Sequence, residues 1–327
     1  MCNLCEKWCI IKGMVEIKIE KNDGNQRLDR FLKKYFKKAS LSQIYKIIRK
    51  DLKVNGKRGK ENTIIEEGDV LSFYMQEDFF ESLKEKKKIV KVTKQFKVVY
   101  EDDEMIIVSK PFGLLTHGDS REKKNHLANQ VTNYLISTGD YVPSRERTFA
   151  PSPVNRLDRN TTGLVIFGKN ADALKKLNKM IKDRDKISKY YITIVAGEMK
   201  NPIELKGKLE KDSKSNTVTV TDETGDGKQI ETIARPIKTA KGYTLVEVEL
   251  VTGRTHQIRA HLSYHGYPII GDVKYGSPKV NRKIKEKYGL TTQLLHAYRL
   301  VIEGKEIIGP LPPNFHDIVF DIFGVDM

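Results

Sequence analysis

Val15, Ile17 and Ile19 alternate with Glu16, Lys18 and Glu20, and this period of two predicts a half-exposed strand within residues 14–24. Helical spacing takes over at Gln26, with Leu28, Phe31, Leu32, Tyr35 and Phe36 on one face. Ser40 or Ser42 is placed to cap a second helix, whose buried face is Ile44, Ile47 and Ile48. Leu52–Arg58 reads as a strand that turns at Asn55-Gly56, a strong hairpin signal. From Ser82 to Lys91, Lys and Glu dominate and apolar residues are scarce, which is the composition of a linker. Val98–Pro111 then reads as strand, acidic turn, buried strand and a Lys-Pro stop. Leu127, Val131 and Leu135 share one side of a helix over 126–137.

The apolar run Leu164–Phe167, bounded by turn residues, predicts a buried strand, and a helix carrying Leu174, Leu177 and Ile181 follows it. Lys189–Gly197 is rich in β-branched and aromatic residues and predicts another strand. Its alternation sends Lys189, Tyr191, Thr193 and Val195 to one face and Tyr190 to the other. Residues 205–235 suggest a hairpin excursion, and Tyr243–Leu250 alternates again.

Composition narrows the partners. The chain has 327 residues, enough for one large domain and a small one, and its 39% hydrophobic content excludes global disorder. A net charge of +16 calls for a polyanion, either nucleic acid or an anionic membrane. No apolar run approaches the roughly 18 residues of a membrane span, which leaves RNA or DNA. The charge is concentrated. Between Arg30 and Lys60 twelve basic residues meet one acid, Asp51, a one-sign stripe suited to phosphates.

Cys2, Cys5 and Cys9 are the only cysteines, and no fourth ligand lies near them, so no metal site is expected. The body can form no disulfide, which fits a reducing cytoplasm, and the first residues lack the apolar core of a signal peptide. Met14 offers an alternative start, making residues 1–13 an N-terminal extension. His256, His261 and His265 are spaced by five and four, which does not match two ligands on one helix face joined by a carboxylate.

The richest stretch is Asn155-Arg156-Leu157-Asp158-Arg159-Asn160-Thr161-Thr162-Gly163-Leu164. It sets one carboxylate between two guanidiniums on a loop that feeds a core strand. Taken alone, such an aspartate is ordinarily a turn or capping residue. The string resembles the catalytic motif of the RluA-type pseudouridine synthases, enzymes that isomerise uridine in RNA. The resemblance recurs in order: Lys110-Pro111-x-Gly113-Leu114-Leu115 with His117-Gly118-Asp119, Lys189-x-Tyr191, Gly253-Arg254-Thr255-His256-Gln257-Ile258-Arg259-x-His261, and Gly271-Asp272-x-x-Tyr275-Gly276. Tyr141-Val142-Pro143 and the Asp158 string lean to the RluC-like branch, which acts on large-subunit rRNA. Arg27–Leu32, Ser42–Ile44, Val54–Lys57 and Glu67–Val70 resemble the S4 RNA-binding domain.

The resemblance implies an α+β fold, with a small S4-type domain at 14–81, a linker at 82–94 and a synthase domain at 95–327 built on a mixed, mostly antiparallel sheet. It assigns catalysis to Asp158, Tyr191 and Arg254. Asp158 would be either nucleophile at C1′ or base at C2′, Arg254 its charge partner, and Tyr191 an aromatic face and phenol. Arg156 would fill the gap left by a flipped nucleotide, and Lys189 would contact substrate. His117 could touch substrate or cap a turn. Arg30, Lys33, Lys34, Lys46, Arg49, Lys53, Lys57 and Arg58 would meet phosphates. No cofactor is implied. The implied partner is RNA, 23S rRNA or a large-subunit precursor, with no membrane and a monomer by default. A tRNA synthase and a non-catalytic S4-type RNA-binding or ribosome-assembly protein are the alternatives.

Overall fold

The computed structural model describes residues 13–85, 90–184, 186–212 and 217–326. The cysteines of the expected extension and part of the expected linker, residues 86–89, lie outside the described residues. The chain divides into two compact units, one of residues 1–91, 132–151 and 169–172, the other of 92–131, 152–168 and 173–327.

In the first unit, β1 (Val15–Lys18), β2 (Gln26–Arg27), α1 (Leu28–Tyr35), α2 (Leu41–Lys50), β3 (Leu52–Val54), β4 (Lys57–Arg58), β5 (Ile64–Ile65), β6 (Val70–Phe73) and α3 (Glu77–Ser82) follow one another. The sheet runs β1-β6-β3-β4, and β2 pairs with β5. Ser40 is the residue that caps α2, in a reciprocal box with Gln43. Asn55 and Gly56 take φ of 50° and 75°, the left-handed pair that a two-residue hairpin turn needs. Register follows from that turn, with Val54 opposite Lys57 and Lys53 opposite Arg58. Phe36, Phe73 and Phe80 pack edge to face at 5.1–5.6 Å, beside the buried Ile44, Ile47 and Ile48.

With the hydrophobic faces used inward, the basic stripe is left outside. Arg30, Lys33, Lys34, Lys46, Arg49, Lys57 and Arg58 are exposed, and Lys53 is half-buried with its ammonium 5.0 Å from the Tyr74 ring centre. The inclusion of residues 132–151 in this unit has a visible cause. Asp23, buried, accepts hydrogen bonds from the Thr148 hydroxyl (2.7 Å) and N–H (3.2 Å) and from Arg147 (3.3 Å). A buried carboxylate requires such donors, and here they come from more than 120 residues away.

The second unit is built on one sheet of β7 (Lys97–Glu101), β8 (Met105–Lys110), β9 (Ser152–Pro153), β10 (Thr162–Gly168), β11 (Ile187–Ala196), β12 (Ile203–Asp212), β13 (Thr217–Thr221), β14 (Lys228–Ala240), β15 (Tyr243–Leu250), β16 (Leu295–Ile302) and β17 (Lys305–Ile308). The order is β13-β12-β14-β15-β11-β16-β10-β8-β7, with β17 on β16 and β9 on β10. Among the described residues the β10–β16 pair is parallel and the other pairs are antiparallel, so the sheet is mixed as expected. The helices are α4 (Leu127–Thr138), which has residues in each unit, α5 (Ala171–Asp183), α6 (Gln257–Tyr264), α7 (Pro278–Tyr288) and α8 (Pro313–Phe323).

Two buried clusters stiffen the middle of the sheet. Phe315, Ile318 and Ile322 of α8 join Ile192 and Ile194 of β11 and Leu245 of β15. Leu177 and Met180 of α5 join Leu164 and Ile166 of β10 and Leu300 of β16. β10, β11 and β16, the central strands, are therefore held by packing along their length, and the loops entering them inherit that rigidity.

Candidate active site

Asp158 stands on the loop between β9 and β10, and the loop is anchored at several points. Leu157 is buried, and its backbone is bracketed by the Thr116 hydroxyl, which donates to Leu157 O (3.0 Å) and accepts from Leu157 N–H (3.2 Å). The Asn155 side chain accepts from Ile166 N–H (2.9 Å) and donates to Leu164 O (3.1 Å), fixing the loop's start to β10 itself. Lys110, fully buried, donates to the carbonyls of Pro111 (3.1 Å), Leu114 (2.7 Å) and Arg159 (2.9 Å). The Lys-Pro motif is thus a clamp between two loops. Burial pushes the Lys110 ammonium down to about 7, opposed by the charge of Asp158.

The glycine of the motif has an equally physical role. Gly163 adopts φ +114°, and a Cβ there would stand 2.2 Å from Ala297 O. Only a residue without a side chain lets β10 lie against β16 at this point.

The six residues expected at the site, Asp158, Tyr191, Arg254, Arg156, Lys189 and His117, line one cavity of about 690 Å³. The alternation predicted for β11 is observed. Lys189 and Tyr191 are buried toward the cavity, while Tyr190 turns away and stacks 3.7 Å from the Arg299 guanidinium. Burial first, and then the charge of Asp158, raise the Tyr191 phenol far above its ordinary value, so it stays protonated. Burial, with Arg184 nearby, lowers the Lys189 ammonium. Arg156 and His117 are exposed at the rim. Partial burial and the Arg156 charge hold the His117 imidazole below its usual value.

One assignment needs correction. The guanidinium paired with Asp158 belongs to Arg259, whose Nη1 lies 3.0 Å from Asp158 Oδ2. Arg254 is exposed on the turn before α6, where its N–H donates to Gln257 Oε1 (3.1 Å). The reason is the phase of α6. The helix begins at Gln257 and buries Ile258, Arg259, Ala260 and Leu262, which carries the second arginine of the motif inward and leaves the first at the mouth. Asp272, buried, completes the arrangement by accepting from Arg259 Nε (2.6 Å) and Nη2 (2.9 Å) in a fork. Burial favours the neutral Asp272 carboxyl, but the Arg259 bonds outweigh it and hold the group below its ordinary value.

His256 also borders this carboxylate, and Tyr275 stands behind His256. His256 Nε2 lies 3.8 Å from Asp158 Oδ2, and its Nδ1 lies 3.0 Å from the Tyr275 hydroxyl. Among the described residues no group of three or more His, Cys, Asp or Glu side chains is arranged to hold a metal. The site combines the Asp158 carboxylate, a buried guanidinium, a protonated phenol and a cationic rim, which suits an anionic substrate held against a fixed carboxylate.

Known proteins share the family and the fold. The family described as RNA pseudouridylate synthase matches residues 104–264. The ribosomal large subunit pseudouridine synthase C of Vibrio vulnificus (strain CMCP6) is 32% identical over 286 residues, 86% of this chain and 86% of that one. The protein of the same description from Buchnera aphidicola subsp. Baizongia pistaciae (strain Bp) is 31% identical over 86% of this chain and 87% of its own. The solved structure of human RNA pseudouridylate synthase domain containing 4 has the same fold, with a TM-score of 0.54 at 20% identity over 68% of this chain and 91% of that one. The chain belongs to the RNA pseudouridylate synthase family. It is an RNA pseudouridine synthase, an isomerase that acts on RNA.

Proposed function

We propose that the protein converts uridines of 23S rRNA, or of a large-subunit precursor, to pseudouridine, with Asp158 as the reacting carboxylate. The observation that carries the catalytic reading is the fixed carboxylate, tethered by Arg259 through Oδ2 and facing a cavity that also holds Tyr191. The choice of RNA is supported by the activity that the names of the Vibrio and Buchnera relatives state.

The reaction breaks the N1–C1′ bond and joins C1′ to C5 of the same base. The C5 proton leaves, N1 gains a proton, and no electrons are exchanged, so no redox group is required. In this reading Asp158 acts at the ribose, Arg259 orients it, and Tyr191 supplies an apolar face with a phenol that can relay a proton. Arg156 on the rim fills the gap left by the flipped nucleotide, and Arg254, Lys189 and His117 hold that nucleotide and its phosphates. Flipping costs a few kcal/mol, least where the RNA is unpaired. Residues 14–81 form an S4-type RNA-binding domain, joined by a linker at 82–94 to a synthase domain at 95–327. Their exposed Arg30, Lys33, Lys34, Lys46, Arg49, Lys57 and Arg58, with Lys53, supply sequence-independent docking on RNA phosphates. A cytoplasmic site of action accompanies this substrate.

Tritium release from C5-labelled uridine tests the reading, because loss of the C5 hydrogen is intrinsic to the reaction. Large-subunit rRNA is expected to release tritium with the wild-type chain and not with Asp158→Ala at unchanged RNA binding. Release from tRNA alone would redirect the substrate, and equal release by both chains would remove Asp158 from the chemistry.

A further inference from the structure

We propose that His256 and Tyr275 are positioning residues that fix Oδ2 of Asp158 and thereby present Oδ1 as the reacting oxygen. This rests on the reading of Asp158 as the reacting carboxylate. The contacts divide unevenly between its two oxygens. Arg259 Nη1 (3.0 Å) and His256 Nε2 (3.8 Å) both face Oδ2. Tyr275 touches both of these neighbours, through its hydroxyl to His256 and through its ring, 5.3 Å from the Arg259 guanidinium.

In the proposed arrangement a hydrogen-bond chain sets where the imidazole carries its proton. Val218 N–H lies 2.8 Å from the Tyr275 oxygen, and a backbone amide can only donate. In this arrangement the phenol accepts from Val218 and gives its own hydrogen to His256 Nδ1 at 3.0 Å, with Nδ1 as the acceptor. A neutral ring with Nδ1 accepting carries its proton on Nε2, aimed at Asp158. Burial lowers the His256 basicity, with Arg259 and Lys274 adding to it against Asp158, which is consistent with a neutral ring. At 3.8 Å the Nε2–H is poised rather than bonded, and such contacts tighten when substrate binds. His256 holds φ +54°, a backbone conformation that ordinary side chains adopt only where the surroundings fix it. Here that conformation places the ring beside Asp158 on the residue before α6. Val218 belongs to the β12–β13 hairpin, and Tyr275 lies beyond the family match at 104–264, so the arrangement joins a segment outside that match to the carboxylate.

The proton position can be read directly. With ¹⁵N-histidine labelling, and His256 assigned by loss of its signal in His256→Gln, the nitrogen–proton correlation pattern of the wild-type chain is expected to show the Nε2–H tautomer. Tyr275→Phe is expected to shift His256 toward the other tautomer. It is also expected to slow single-turnover tritium release about 10-fold, on an RNA that the wild type modifies, without changing RNA affinity. His256→Ala should fall similarly, and His256→Gln, whose amide N–H can stand in for Nε2–H, should fall less. In the His256→Gln background Tyr275→Phe should then have no further effect. An Nδ1–H tautomer in the wild type overturns the proposal, as does an equal loss from Tyr275→Phe in both backgrounds, which would make Tyr275 merely structural. Activity in Asp158→Ala would instead remove the catalytic reading, and with it the reacting oxygen, whatever the tautomer.

Discussion

At the scale of single residues, the two arginines of one motif do different work. Arg259 is buried between two carboxylates, so its removal leaves Asp272 charged and buried with its main partner gone. Breaking a buried pair from one side costs about 3–5 kcal/mol of stability. Arg259→Ala should therefore lower the unfolding midpoint and abolish turnover, whereas Arg254→Ala should keep its stability and weaken RNA binding. Urea unfolding together with single-turnover rates at saturating enzyme separates the two. Equal kinetic defects with equal stability would contradict the geometry. The motif made both residues visible in the sequence, but not which of them reaches Asp158. That depends on where α6 begins and on the left-handed His256 before it, neither of which leaves a local mark. Nor is the need of Asp272 for a fork visible until burial is known. Asp158 and Tyr191 were easier to place, because a loop into an apolar strand and a period of two already determine how they face.

Elements were legible wherever their period was strong. Leu127, Val131 and Leu135 are all buried on α4, Ser40 caps α2, and Asn55-Gly56 turns the β3–β4 hairpin. Pairing between distant strands was not legible, because it is a non-local choice among several apolar runs. The clearest case is the parallel contact of β10 with β16, where Gly163 lies opposite Ala297. An added methyl at Gly163 would meet backbone on a strand held by its own neighbours, and the φ of +114° disfavours any side chain. Gly163→Ala should destabilise the second unit by about 3 kcal/mol or more and disturb the Asp158 loop, which enters the sheet there. A variant with the wild-type melting temperature and rate would show that the close approach is not needed. Gly113→Ala is the matched comparison. It also replaces a glycine of positive φ, but with nothing within 4 Å of the new Cβ, so only the conformational cost remains.

For the molecule as a whole, the sequence indicated the size of the charge and the partner class, but not how the chain distributes itself between two units. Asp23 and Thr148 illustrate why, since their bond joins segments whose local patterns carry no sign of each other. The same non-local burial sets a pH response. His261 and His296 are buried in the second unit, with Nδ1 facing the hydroxyls of Thr232 (3.1 Å) and Thr162 (2.7 Å). Among the described residues the Nε2 of His296 has no partner. Burial lowers each to about 4 from 6.5, with His265 adding to the effect at His261 and the Lys206 backbone opposing it. Between those values the unfolded chain binds a proton that the folded chain does not. Stability is therefore complete above pH 6.5 and falls as the pH drops toward 4, by about 3 kcal/mol for each histidine at the limit. Below 4 both states are protonated and this contribution stops changing. Unfolding midpoints across this range should decline steeply in the wild-type chain and less steeply in His296→Asn or His261→Asn, with the double variant flattest. Carboxylates titrate in both backgrounds, so the difference between the curves isolates the imidazoles. An unchanged slope in the double variant would mean that these rings already accept protons in the folded state, and that the cavities around them admit the charge.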